Sequence, residues 1–140
     1  MNKKLIELLK IFSLPIIILI FHTVFDINDL YVTIKNLDDI MHFIGGIAIG
    51  ISYTLFLRFL QKENLLGRMH KLVYFVIVIS LVVLTSVGWE FLEFGLDTVY
   101  PRENLGPRQP SLPDTMLDLL LALVGGVIGY LVTIKFLKYK

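Results

Sequence analysis

Cysteine is absent from the 140 residues of the chain, and its absence excludes disulfide bonds and thiolate metal sites. The sequence also lacks a nucleophile elbow, a phosphate-binding loop and an HExxH motif. The formal net charge of +1 argues against nucleic acid as the main partner. The chemistry of this protein must therefore be sought in its apolar segments and in the polar residues within them.

Hydrophobic residues make up 56% of the chain, and the mean hydropathy of +0.76 is too high for an ordinary soluble domain. A helix of roughly 20 apolar residues spans the hydrocarbon core of a bilayer, and four apolar runs approach or reach that length. We therefore expect an all-α polytopic membrane protein, with residues 1–140 forming a single transmembrane domain. The predicted four-transmembrane-helix bundle has helices at about 5–25, 40–60, 72–96 and 115–137.

The first apolar run resembles a signal peptide in one respect, because Lys3, Lys4 and Lys10 form a positive segment at its start. No A-x-A-like cleavage site follows, however, and the run ends in His22 and Asp26. The sequence therefore predicts a retained membrane helix.

Basic residues are concentrated on one side of the predicted membrane. Ten of the 13 fall at the two termini or between the second and third helices: Lys3, Lys4, Lys10, Arg58, Lys62, Arg68, Lys71, Lys135, Lys138 and Lys140. Lysine and arginine favour the cytoplasmic side of a membrane protein. This distribution predicts a multi-pass protein of the cell (inner) membrane with both termini in the cytoplasm (N-in/C-in).

Acidic residues have the opposite distribution. Ten of the 12 lie in the outer loops or the outer halves of helices: Asp26, Asp29, Asp38, Asp39, Glu90, Glu93, Asp97, Glu103, Asp114 and Asp118. Solvated loops explain some of them, but not those within apolar runs. Helical spacing places Glu90, Glu93 and Asp97 on one face of the third helix. A charge at the centre of a membrane helix costs about 2.5–3.5 kcal/mol, so this face is expected to point into the bundle.

Two further helices begin with acidic residues. Asp114 occupies the third helical position after Ser111 and is either a helix cap or a site residue, whereas Asp118 lies one turn further in and is not explained by capping. Asp38 and Asp39 either cap the second helix or orient the ring of His42. His42 itself is either a hydrogen-bonded core residue or a ligand.

Adjacent membrane helices run antiparallel, so these groups all meet at the outer boundary. Gly46-x-x-x-Gly50 and Gly125-x-x-x-Gly129 predict close helix packing one to two turns further in. Clustered carboxylates need either a cation or shared protons, and carboxylates with a neutral imidazole suit one or two divalent metal ions. The candidate metal ligands are His42, Glu90, Glu93, Asp97, Asp114 and Asp118, with Asp38 and Asp39 in support and Glu90 or Asp118 as the catalytic group.

The outer loop between the third and fourth helices contains Arg102 and Arg108 among several prolines. Arginines beside a carboxylate-bound metal suit an anionic substrate such as a phosphate ester. The alternative is that they pair with nearby acids or with lipid head groups.

Three motifs resemble those of the YjdF-like bacterial inner-membrane proteins and, more distantly, of VanZ-like proteins. They are Asp39-x-x-His42-Phe43-x-Gly45-Gly46, Trp89-Glu90-x-x-Glu93 and Asp114-Thr115-x-x-Asp118-Leu119, followed by Gly125-Gly126. The resemblance implies that His42, Glu90, Glu93, Asp114 and Asp118 form one site. It implies no particular reaction.

Three functions fit this pattern. The first is a divalent-metal-dependent enzyme acting on a lipid or lipid-linked substrate near the outer leaflet. The second is a proton or cation translocator, or an accessory subunit of one, but such a route needs polar groups at every depth and the inner halves of the helices contain few. The third is a structural role in which protonated or paired acids hold the bundle together. Membrane lipids are the expected partners, and a homo-oligomer is compatible with so small a bundle.

Overall fold

The computed structural model describes residues 3–102 and 105–137, and every regular element in these residues is a helix. The helices are α1 (Lys3–Ile11), α2 (Ser13–Ile27), α3 (Leu30–Thr33), α4 (Leu37–Lys62), α5 (Lys71–Val99) and α6 (Leu112–Phe136). The predicted all-α class is thus confirmed. Glu103, Lys138 and Lys140, which entered the charge distribution, lie outside the described residues.

Three helices, α4, α5 and α6, are each long and apolar enough to cross a membrane. The pair α1 and α2 passes the same test jointly but is bent by 52°, so the chain has three candidate spans, or up to four if the bent pair is one span.

The expectation of a single continuous first helix was wrong, because the chain breaks between α1 and α2 at Phe12. Pro15 has no N–H to donate to the carbonyl of Ile11, and its ring crowds that carbonyl. The Ser52 hydroxyl of α4 donates to the Ile11 carbonyl oxygen instead, at 2.7 Å in a buried position. The bend therefore has a local cause in Pro15 and a tertiary partner in Ser52.

Helices α4 and α6 form the closest pair, and the two glycine motifs, which predicted close packing, lie where these helices meet. A Cβ built on any of four glycines would overlap the backbone of the opposite helix: Gly46 on Ala122, Gly50 on Gly126, Gly125 on Phe43 and Gly129 on Ile47. Successive pairs advance in the same direction along both helices, so α4 and α6 run parallel. Their N-terminal ends consequently lie side by side, at what we call the acidic end of the bundle.

Helix α5 packs against both members of this pair. Val82 of α5 fills the space beside Gly126, and Tyr74 and Val78 join Leu57 and Tyr130 in an apolar cluster towards the opposite end. Because α5 is antiparallel to α4 and α6, its C-terminal turns, which carry Glu90 and Glu93, reach the acidic end.

Candidate functional site

The side chain of His42 lies at the centre of the acidic end, in the second turn of α4, and is only 8% exposed. Its Nε2 atom lies 3.6 Å from Asp38 Oδ1 and 4.0 Å from Asp118 Oδ1. Its Nδ1 atom lies 3.7 Å from Glu90 Oε1. These separations exceed the roughly 2.7–3.2 Å of a hydrogen bond, so carboxylates face both ring nitrogens without binding them.

Three of the surrounding carboxylates are deeply buried: Glu90 is 5% exposed, Glu93 4% and Asp118 2%. Glu90 Oε1 and Asp118 Oδ1 have no hydrogen-bond partner among the described residues. These are the same two oxygen atoms that face the ring of His42. Since buried polar atoms in proteins are almost always satisfied, both oxygens call for a partner in the space around the ring.

Ligand-capable atoms approach one another within 4.8 Å in three groups: His42 with Glu90 and Asp118, Asp38 with His42 and Glu93, and Asp38 with Asp114 and Asp118. The structure thus brings together five of the six predicted ligands and adds Asp38, which the sequence suggested only as a supporting residue. Imidazole nitrogen and carboxylate oxygen are ligands for zinc, manganese and iron. Whether these atoms bind a metal stays a prediction.

Asp97 does not join these groups, although helical spacing places it on the face of Glu90 and Glu93. Arg108 Nη1 lies 3.2 Å from Asp97 Oδ1, and Arg108 Nη2 lies 3.2 Å from Asp26 Oδ2. Arg102 also pairs with Asp26. Both arginines therefore have acidic partners, which corresponds to the second of the two alternatives for the outer loop. Their contact with an anionic substrate stays a prediction.

Comparison with known protein families gives a match over almost the whole chain. A family model described as "Predicted membrane protein (DUF2238)" matches residues 3–139. The chain belongs to this family. The resemblance to YjdF-like proteins is consistent with the membership, and no finding supports the more distant VanZ-like resemblance. No curated protein and no solved structure gives a significant match to the chain.

In this DUF2238 protein, two residues that the sequence did not assign to the site hold the glutamates in place: Gln109, and Trp89, which was noted only as part of a motif. The side-chain amide of Gln109 donates to Glu90 Oε2 at 2.8 Å, and its backbone N–H donates to Asp97 Oδ2 at 3.0 Å. The Trp89 indole N–H donates to Glu93 Oε1 at 2.9 Å. Partners of this kind fix the orientation of ligands in metal sites. Glu90 is thereby left with one oxygen held by Gln109 and the other directed at His42.

A second histidine lies next to the site. His22 Nδ1 and the Tyr31 hydroxyl are hydrogen-bonded at 2.5 Å, and the ring of Trp89 meets the His22 ring edge-on at 4.5 Å between centroids. Burial, and then the charges of Asp38 and Glu93, raise the pKa of the Tyr31 phenol, so its proton is retained. The rings of His22, Tyr31 and Trp89 thus pack together on one side of the acidic end.

A polar cavity of about 300 Å³ opens at the acidic end of this DUF2238 protein. Its lining combines five acidic residues with two arginines: Asp26, Asp38, Asp39, Glu93, Asp114, Arg102 and Arg108. Asp39 thus lines the approach to the site rather than the space around His42. A cation could reach Asp38 and Asp114 by this route.

Proposed function

We propose that this membrane protein holds a divalent metal ion between α4, α5 and α6 and uses it to act on a lipid or lipid-linked substrate. One observation carries the proposal: Glu90 Oε1 and Asp118 Oδ1 are buried, lack hydrogen-bond partners among the described residues and face the ring of His42. A cation bound there would satisfy both oxygens at once.

The spacing of the three side chains supports this proposal. One ligand atom from each of His42, Glu90 and Asp118 lies within 4.8 Å of the other two. Ligands at about 2.0–2.2 Å from a zinc-like ion are at most about 4.4 Å apart, so small side-chain adjustments suffice. Asp38 and Asp114 form a second group through the shared Asp118. A second ion bound there would share the Asp118 carboxylate with the first ion, as in two-metal hydrolases.

A bound ion would polarise a carbonyl or phosphoryl oxygen of the substrate and activate a water molecule. Either Glu90 or Asp118 would then accept the proton of that water. A lipid substrate is favoured because His42 lies within a candidate span, about one and a half turns from the start of α4. At that depth a substrate arrives more readily from the bilayer than from water.

The alternative of a proton or cation pathway has less support. Hydroxyl groups deeper in the bundle are engaged in local hydrogen bonds: Ser52 to Ile11 O, Thr54 to Gly50 O, Thr133 to Gly129 O, and Tyr53 to Thr85. These bonds occupy hydroxyl groups that such a pathway would need. A purely structural role, with protons shared among the acids, is the second candidate.

Metal content tests the proposal directly. Elemental analysis of detergent-purified protein should find at least one divalent metal per chain in the wild type, and little or none in Glu90→Gln and Asp118→Asn. Each substitution removes one anionic ligand but keeps the shape of the side chain. Glu63→Gln, at the far end of α4, is the matched control and should retain the metal, because Glu63 pairs with Lys4 and lies far from His42.

Wild-type protein that stays free of metal after zinc, manganese and iron are added back would overturn the metal site and favour the structural role. Metal bound equally by all four proteins would show that it lies elsewhere. Incubation of the metal-loaded protein with total membrane lipids should yield a product that Asp118→Asn does not form.

We also propose that α1 and α2 together form one bent span, so that the protein crosses the cell membrane four times with both termini in the cytoplasm. Lys62 Nζ contacts Glu7 Oε1 at 2.8 Å, and Lys4 pairs with Glu63. These pairs place the start of α1 beside the end of α4. Both therefore lie on the side that carries most of the basic residues.

The absence of cysteine makes this topology simple to test. Single-cysteine variants Val32→Cys and Leu105→Cys should react with a membrane-impermeant maleimide in intact cells, because both positions are exposed at the acidic end. Leu5→Cys and Leu65→Cys should react only after the cells are permeabilised. The reverse pattern would invert the proposed orientation, and labelling of both Leu5→Cys and Val32→Cys in intact cells would mean that α1 and α2 do not span.

A further inference from the structure

A second, largely apolar cavity of about 110 Å³ lies between α2, α4 and α5. Its floor is α4 and its walls are α2 and α5; the lining includes Gly45, Ile49, Ile18, Leu19, Ser86 and Trp89. Lining residues on α4 run from Met41 to Ile49, a length of about 12 Å at 1.5 Å per residue. The cavity is therefore a narrow slot along the helix axis.

The position of the slot allows it to open sideways into the bilayer. Helices α2 and α5 both pack on α4, but within the described residues their Cα atoms do not come within 8 Å of each other. Leu19, which lines the slot from α2, is 49% exposed. Since α5 is a candidate span and α2 belongs to the bent pair that we propose as another, we expect the gap between them to face lipid chains.

The two ends of the slot differ in chemistry. Pro15 and Ile49 line the end away from the acidic cluster, whereas His22, His42 and Trp89 line the end next to it. His42 is the residue whose ring faces Glu90 and Asp118. The slot thus leads from an apolar opening to the candidate metal site.

Gly45 gives an independent reason to regard the slot as a binding site. A Cβ at the neighbouring Gly46 would overlap the backbone of Ala122, so helix packing requires that glycine. A Cβ at Gly45 would meet only Ile18, at 3.9 Å. Packing does not require glycine at position 45, and its missing side chain is what leaves the floor of the slot open.

We infer that this slot binds one acyl chain of a bilayer lipid, with the head-group end of the chain next to His42. An apolar cavity of this kind stays dry and accepts apolar ligands, and a single unbranched chain matches its narrow, elongated form. The inference rests on the proposed function for its purpose, because it defines the substrate as a lipid whose chain is held while its linkage region meets the metal.

Trp89 is the only tryptophan in the chain and lines the slot, so its fluorescence reports on the occupant. The full-length protein would be reconstituted in nanodiscs of phosphatidylcholine with bromine atoms near the carbonyl, in the middle or at the methyl end of one acyl chain. Bromine quenches tryptophan at contact. We expect wild-type Trp89 to be quenched most by bromine in the carbonyl half of the chain, and Gly45→Leu, which fills the slot, to lose most of that quenching.

Gly88→Leu is the matched control, because Gly88 is exposed on α5 and a Cβ there meets nothing within 4 Å. It should be quenched like the wild type. Equal quenching of wild type and Gly45→Leu would overturn the inference, since Trp89 would then sense only bulk lipid; so would no quenching at all. Ile49→Phe, which fills the same slot from the same helix, replaces Gly45→Leu if that variant does not fold.

Metal analysis of the same samples separates this inference from the proposed function. Gly45→Leu should retain the metal content of the wild type. Slot-dependent quenching in a protein that binds no metal would leave the acyl-chain site standing and overturn the metal-dependent function. Metal binding with equal quenching in wild type and Gly45→Leu would do the opposite.

Discussion

Gly46→Ala is expected to lower the free energy of unfolding by about 3 kcal/mol or more, the upper end of the cost of overpacking. The added methyl group would overlap the backbone of Ala122, which cannot move aside as a side chain can, so α4 and α6 must separate. Gly45→Ala is the matched control on the same helix. It should be neutral or slightly stabilising, because alanine favours a helix by about 1 kcal/mol over glycine and meets only Ile18.

The two variants differ by one residue in position, so thermal or SDS-induced unfolding in detergent compares them directly. Gly50→Ala should behave like Gly46→Ala, since its Cβ would overlap Gly126. If all three variants unfolded at the same temperature or SDS concentration as the wild type, the close packing of α4 on α6 would be wrong.

The second large effect concerns metal binding and stability. A metal ion that binds only the folded protein should stabilise it by about 4 kcal/mol when the free ion exceeds the dissociation constant about 1000-fold. The unfolding temperature of the wild type should therefore rise on addition of the metal found by elemental analysis. Asp118→Asn should show no rise, because Asp118 belongs to two of the three ligand groups.

Without metal, Asp118→Asn is not expected to lower the unfolding temperature. Asp118→Asn should then match or exceed the wild type in unfolding temperature, because an amide replaces a buried carboxylate close to Glu90 and Asp38 and removes their mutual repulsion. Glu63→Gln controls for non-specific binding of cations and should respond to metal like the wild type. A metal-induced rise of equal size in Asp118→Asn would contradict a site at His42.

The long helices could be predicted because a helix that spans a bilayer must be long and apolar. Both properties can be read directly from the sequence. The glycine motifs were informative for a related reason: only glycine allows the backbones of two helices to touch, so Gly46 and Gly50 indicate a contact even without a partner in view. The acids at positions 90, 93, 114 and 118 follow from helical spacing and depth. Helix α5 had to run opposite to α4 and α6, and that brings these acids to one end.

The features that sequence did not reveal depend on contacts between distant segments. The sequence analysis did not use Pro15 to predict the break in the first helix, and the hydrogen bond from Ser52 that completes the break comes from another helix. Asp97 shares a helical face with Glu90 and Glu93. The loop, however, places Arg108 beside Asp97, so Asp97 pairs with that arginine and not with the group around His42. Gln109 has no periodic pattern to mark it, because it lies in an irregular loop. Its contact with Glu90 could be found only from the structure.

The parallel arrangement of α4 and α6 has an electrostatic consequence. Each helix N-terminus carries roughly half a positive charge from its aligned peptide dipoles. The N-termini of α4 and α6 lie side by side, and their first turns contain Asp38, Asp39 and Asp114. The C-terminus of α5 reaches the same end with the opposite partial charge, so the first turns of α4 and α6 are what give these three acidic residues a nearby positive charge. This charge belongs to the backbone, so neither a chelator nor a change of pH can remove it. Asp38, Asp39 and Asp114 therefore keep part of their counter-charge whether or not an ion is bound.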